Sequence, residues 1–391
     1  MTIYTIHNDP KVDIRIEQDL QQIVTELCDT FSDVYAVILA GGFGRGEGTV
    51  VFTNGTPRPV NDYDLVVVTE QTYQELEPLE RLGQSIAKVL GIDFVDFALI
   101  AVDSLSKLSP TIFNFELKHG SRVVFGPESV LDLIPDYQAN EIPSREGMIL
   151  LMNRMGDILG RHHPFINVKE LTSRELEFIS IPLHKALLAC GDSLLMMHDL
   201  YHASYRKRLA ALEKLRREGE LSFISSKDLN RIRFAFKQKL APEQFVFDDP
   251  TEVLRDLLPL YREVFLRFAS HALNIECSTV SQAVRYFMRS ERNVKISAHK
   301  GSLLRFLVST HPRQWHLLFD VAYLSRESII YATLPALFFS GPWGGTESSL
   351  LALALDMINL LRGRRLEGHS ELSRWNAARE TGFGLWKALF H

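Results

Sequence analysis

The chain has 391 residues, 46% of them hydrophobic and 23% charged, a balance that excludes the disordered, collagenous and disulfide-stapled classes and leaves room for two globular domains. Its formal net charge of −5 supplies no general attraction for nucleic acid or an anionic membrane, so nucleic acid is the less favoured partner. The cysteines, Cys28, Cys190 and Cys277, form no CxxC pair, which argues against a disulfide framework or a zinc cluster and fits a reducing cytoplasm.

The opening MTIYTIHNDPKVDIRIEQDL carries charges throughout and does not match a secretory signal. Residues 15–31 then place Ile16, Leu20, Ile23 and Leu27 at helical spacing, and 34–40 (VYAVILA) is a short apolar run rich in strand formers that ends at Gly41. A second strand is predicted over 63–68, followed by a helix over 72–90 that Pro78 kinks or divides. Residues 92–102 and 121–125 read as third and fourth strands, closed by Gly126-Pro127. Residues 1–142 thus predict an α/β domain with a mixed sheet.

From Ser144 the pattern changes to long amphipathic segments, and 143–391 is predicted to be an all-α helical bundle that binds the acceptor and closes a cleft. The most apolar stretches, 329–340 and 350–361, are short or interrupted by Pro335 or Asp356, so they predict buried helices and no membrane span. The segment 341-GPWGGTESS-349 is expected to connect two helices, with Thr346 or Ser348 as N-cap.

The chemistry concentrates in 41-GGFGRGEGTVVFTNGTPRPVNDYDLVVV-68. No register of its glycines matches the GxGxxG fingerprint, and neither this stretch nor 299-HKGS-302 forms a P-loop. Asp62 and Asp64 are two apart in a predicted strand, so both carboxylates point to one face while Tyr63 points to the other. Such a pair repels itself unless cations neutralise it, and an oxygen-rich set of this kind suits magnesium bound together with substrate phosphates. A third carboxylate completes a two-metal arrangement; Asp96 is the favoured candidate and Asp93 its competitor. Gly41 and Gly42 let backbone approach a phosphate closely. Arg45 either binds phosphate or pairs with Glu47 on the surface.

Gly41-Gly42 at a strand end, Asp62-Tyr63-Asp64 opening the next strand and Asp96 within a later one together resemble the DNA polymerase β-like nucleotidyltransferase superfamily. The resemblance covers roughly residues 30–126. GGFGRGE followed by NDYDL looks especially like members that transfer a nucleotide to small molecules or proteins. The interval between Gly42 and Asp62 is longer than the superfamily's usual spacer, and Asn54-Gly55 between apolar flanks marks the extra length, residues 50–60, as an inserted hairpin. The resemblance implies a cytoplasmic magnesium-dependent enzyme that uses a nucleoside triphosphate, ATP first among them, and moves its nucleoside monophosphate to a small-molecule or protein acceptor. Asp62 and Asp64 would hold both metals, Asp96 the catalytic one, and Gly41, Gly42 and Arg45 the phosphates. By the same resemblance Lys185, on one helical face with Asp192, would touch the triphosphate; the competing reading is a solvated polar stripe. The alternative function is a nucleotide-binding regulator that keeps the fold without turnover. The Arg292/His299 and Arg305/His311 spacings carry no weight, since both fit one ribonuclease-like pattern by chance.

Overall fold

A computed structural model describes the chain except for residues 1–2, 7–8, 54–55, 60–61, 72–76, 164–165, 243–245, 293–323, 344–347, 363–364, 367 and 390–391. The first helix, α1 (Pro10–Thr30), starts where Asp9 accepts from Lys11 N and Pro10 takes a position that needs no amide donor. Its buried stripe is Val12, Ile16, Leu20, Ile23 and Leu27, the face expected from the periodicity. β1 (Val34–Leu39) follows, and a single helical turn, α2 (Gly41–Gly44), carries the chain away from its end. β2 (Val50–Thr53) and β3 (Thr56–Pro59) form a separate antiparallel hairpin in the register Val50 to Pro59, as the sequence predicts. The Asn54-Gly55 turn itself lies outside the described residues.

β4 (Tyr63–Thr69) and β5 (Val95–Ala101) are joined by α3 (Glu77–Leu90), the crossover that a parallel pair requires. Pro78 is the second residue of the described helix; residues 72–76, over which the sequence pattern extends it, lie outside the described residues. The short turn α4 (Val102–Leu105) and α5 (Ile112–Gly120) lead to β6 (Arg122–Phe125). The sheet order is β5-β4-β1-β6, with β4 and β5 parallel and β1 antiparallel to both β4 and β6, so the sheet is mixed.

Alternation along β1 explains why the strand is apolar throughout. Val37 and Leu39 join one cluster with α1, α3, Phe43, Tyr63, Leu65 and Val67. Ala36 and Ile38 join another on the opposite face with Val66, Val68, Leu105, Leu117 and Val130. Both faces of the central strands are covered, which is why Leu65–Val68 reads as an unbroken apolar run.

Among the described residues the further α-helices are α6 (Ser144–Arg161), α7 (Ser173–Met197), α8 (Tyr205–Arg217), α9 (Ser226–Leu240), α10 (Pro250–Leu273), α11 (Val280–Ser290), α12 (Arg326–Phe339), α13 (Ser348–Arg362) and α14 (Glu371–Lys387). The connection between α12 and α13 is where the glycine-rich segment 341–349 was expected to place it; Thr346 lies outside the described residues. α12 is buried on every side from Ser328 to Phe339, the interior helix expected of that run. Among the described residues, α7 is long and apolar enough to cross a membrane, and 83% of its most apolar stretch is buried inside the protein.

The chain forms two compact units. One comprises Met1–Pro143 with His198–Phe223 and Arg233–Gln244, the other Ser144–Met197, Ile224–Ile232 and Phe245–His391. The first unit therefore takes in α8 and the second half of α9, which a single division after residue 142 leaves out. Polar contacts draw them in. Glu47 accepts from the N-terminal amides of α8, and Thr49 Oγ1 donates to Lys239 O at 2.9 Å.

Candidate metal centre

The carboxylates gather at one end of the sheet because of strand register. β4 and β5 run parallel with Tyr63 opposite Val95 and Asp64 opposite Asp96, so those two side chains leave the same face at the same level. Asp62 lies two residues before Asp64 and joins them. One carboxylate oxygen from each of Asp62, Asp64 and Asp96 falls within 4.8 Å of the others. Opposite ligands of a magnesium ion stand about 4 Å apart, so a small side-chain adjustment brings these hard oxygens into one coordination sphere. Asp93 precedes β5, is exposed and is not part of the group.

The turn after β1 is shaped to this cluster. Ala40 N donates to Asp64 O at 2.8 Å, which continues the β1–β4 pairing beyond the Leu39–Leu65 pair. Gly41 has φ +60, and a Cβ there would overlap Asp64 Oδ2 and come within 2.9 Å of its Cγ. Gly42 has no such conformation; its added Cβ would lie 3.3 Å from Glu47 O. The close approach expected of these glycines is thus made by Gly41, and the group approached is Asp64.

Asp64 is half-buried and Asp96 exposed. Burial first, then the Asp62 and Asp96 carboxylates, push the Asp64 carboxyl up to about 7, while Lys239 and Arg45 pull it down. Carboxylates gathered this closely repel one another, and a cation held among them would offset that repulsion.

Arg45 and Glu47 do not pair with each other. Arg45 is buried, with Nη1 2.9 Å from Glu116 Oε2 on α5 and its guanidinium 5.1 Å from the Tyr205 ring centroid. Glu116 also binds Arg208 and accepts from Tyr201 OH. Burial alone would raise the Glu116 carboxyl, but Arg208, Arg45 and the Tyr201 bond hold it below its ordinary value. Glu47, fully buried, accepts from Ser204 Oγ at 2.6 Å and Tyr205 N at 2.7 Å, and so caps α8. Lys185 is half-buried on α7 in the other unit. Around it on that helix His184, Asp192 and Ser193 are buried, which removes the solvated-stripe reading.

Lys239, Glu116 and Arg208 carry no motif in the sequence. Their positive or buried character is ordinary for amphipathic helices, and only the fold brings them to the carboxylate end of the sheet. No family model, no curated protein and no solved structure matches this chain.

Proposed function

We propose that the protein is a metal-dependent nucleotidyltransferase that moves a nucleoside monophosphate from a nucleoside triphosphate to a hydroxyl-type acceptor and releases pyrophosphate. The observation that carries this reading is the gathering of Asp62, Asp64 and Asp96 within 4.8 Å beside the Gly41 turn. The motif resemblance stated above points to the same class. Asp62, Asp64 and Asp96 are the residues that would hold magnesium. When bound, magnesium offsets charge on the phosphate oxygens and on the departing pyrophosphate.

The chain's own part is positional and electrostatic. Register holds Asp64 and Asp96 side by side, and Gly41 leaves room for Asp64 where a Cβ would strike it. Lys239 and Arg45 place positive field at Asp64 and limit the charge that must be neutralised. In the transfer, the acceptor oxygen bonds to the α-phosphorus as the bond to the bridging oxygen breaks. The exposed Asp96 takes the hydroxyl proton, and pyrophosphate departs with the bonding pair.

The test is pyrophosphate release from each of the four common nucleoside triphosphates, with magnesium and a small-molecule extract supplying acceptors. The reading expects release with at least one nucleotide, lost on chelation with EDTA. Absence of release from all of them would contradict it.

A further inference from the structure

Tyr63, between the two aspartates, points away from them into the first unit and is fully buried. Its hydroxyl donates to Asp19 Oδ2 on α1 at 2.9 Å. Asp19 is itself buried and is held by Arg15 Nε, 2.9 Å from Oδ1, while Arg15 Nη2 donates to Leu90 O at the end of α3. The ring of Tyr63 packs on Phe43 of the glycine turn, centroids 5.1 Å apart, and Phe43 in turn fills the space that a side chain at Gly48 would need. One residue therefore links the carboxylate strand to α1, to the end of α3 and to the glycine turn.

The place of this link on β4 gives it its consequence. The registered β1 pairs end at Leu65 and one further bond, Ala40 N to Asp64 O, holds Asp64 from that side, so beyond it Tyr63 is paired only with β5. Strand ends paired on one side fray most readily, and a twist of the backbone at Tyr63 would turn both flanking carboxylates, since successive side chains take opposite faces. Burial and the Asp19 carboxylate both favour the neutral phenol, so Tyr63 remains a donor. A phenylalanine would fill the same apolar space; the hydroxyl bonded to a buried acid adds direction to the packing.

We infer that Tyr63 and Asp19 are positioning residues: their hydrogen bond fixes the end of β4 and thereby aims Asp62 and Asp64 at a shared divalent cation. The inference rests on the metal reading above and deepens it.

Manganese affinity of the full-length protein, titrated by calorimetry or by electron paramagnetic resonance of free Mn2+, tests it together with thermal unfolding. Tyr63→Phe is expected to weaken Mn2+ binding about tenfold, the scale of loss when an outer partner of a metal site is removed. Asp19→Asn, which keeps an oxygen to accept from Tyr63, is expected to recover most of the affinity relative to Asp19→Leu. Ile23→Val, a packing change on the same helix, is expected to lower thermal stability with no change in affinity. Wild-type affinity in Tyr63→Phe, or losses that follow melting temperature across all variants, overturns the positioning role and leaves the metal site standing. Failure of the wild type to bind Mn2+ overturns both readings.

Discussion

Gly41 and Asp64 are fitted to each other: the glycine holds φ +60, and the space of its absent Cβ is taken by the Asp64 carboxylate. Gly41→Ala is therefore expected to do two things. The left-handed backbone costs an alanine about 1–2 kcal/mol, and the methyl displaces the carboxylate from the cluster. Divalent-cation affinity should fall more than the stability loss alone explains. Gly42→Ala, whose Cβ meets Glu47 O only at 3.3 Å, should remain folded and keep its cation affinity. Urea unfolding and Mn2+ titration of the two variants check both statements.

Removing one carboxylate separates function from stability. Asp64→Asn should abolish pyrophosphate release and cation binding with little change in volume. The folded-state carboxyl is raised to about 7 by burial and by Asp62 and Asp96, so its ionised form opposes folding above that pH, and the opposition fades as pH falls toward the unfolded value. The metal-free variant should therefore be more stable than wild type at pH 8, on the order of 2 kcal/mol, with the two converging near pH 4. Paired denaturation curves at both pH values provide the check.

The Glu116 network answers to different physics. Arg45 and Arg208 are buried, and removal of the carboxylate they share leaves two cations without it. Glu116→Ala is expected to cost about 3–5 kcal/mol, the scale for stranding one side of a buried ion pair. Adding Arg45→Met should restore part of the loss. Unfolding followed by tryptophan-independent amide exchange of β1 and β4 reports on this unit directly.

In the other unit, buried His162 binds Ile179 O through Nε2 at 2.9 Å, and burial holds its imidazole down to about 4. Its folded value lies below the unfolded one, so the contribution is neutral above pH 7. It turns destabilising as pH falls, because the unfolded chain takes up the proton first. From pH 7 to pH 4 the loss should approach roughly 3 kcal/mol, and His162→Gln should flatten that part of the stability profile.

The strands and carboxylates were legible in the sequence because their signals are local. A period of two puts Asp62 and Asp64 on one face, and Leu65–Val68 reads as a buried strand without further knowledge. Asp96 required the register of a parallel pair, which the choice of the acid embedded in an apolar strand anticipated. Of the two readings of Arg45, the pairing with Glu47 fails because the turn sends the two side chains to Glu116 and to the start of α8, although they are neighbours in sequence. The helices α8 and α9 announce an apolar face but not that Lys239 comes to Asp64 or Arg208 to Glu116, so these two residues carried no signal.

The central claim is transfer of the nucleotide rather than of its terminal phosphate, and label position tests it most directly. The protein, magnesium and an acceptor extract are incubated with the active triphosphate labelled at the α-phosphorus or at the γ-phosphorus, alongside Asp64→Asn. The account predicts that the α label appears on the acceptor, that the γ label appears in pyrophosphate, and that the variant yields neither. Transfer of the γ label to the acceptor, or the same α-label transfer by Asp64→Asn as by wild type, would contradict it.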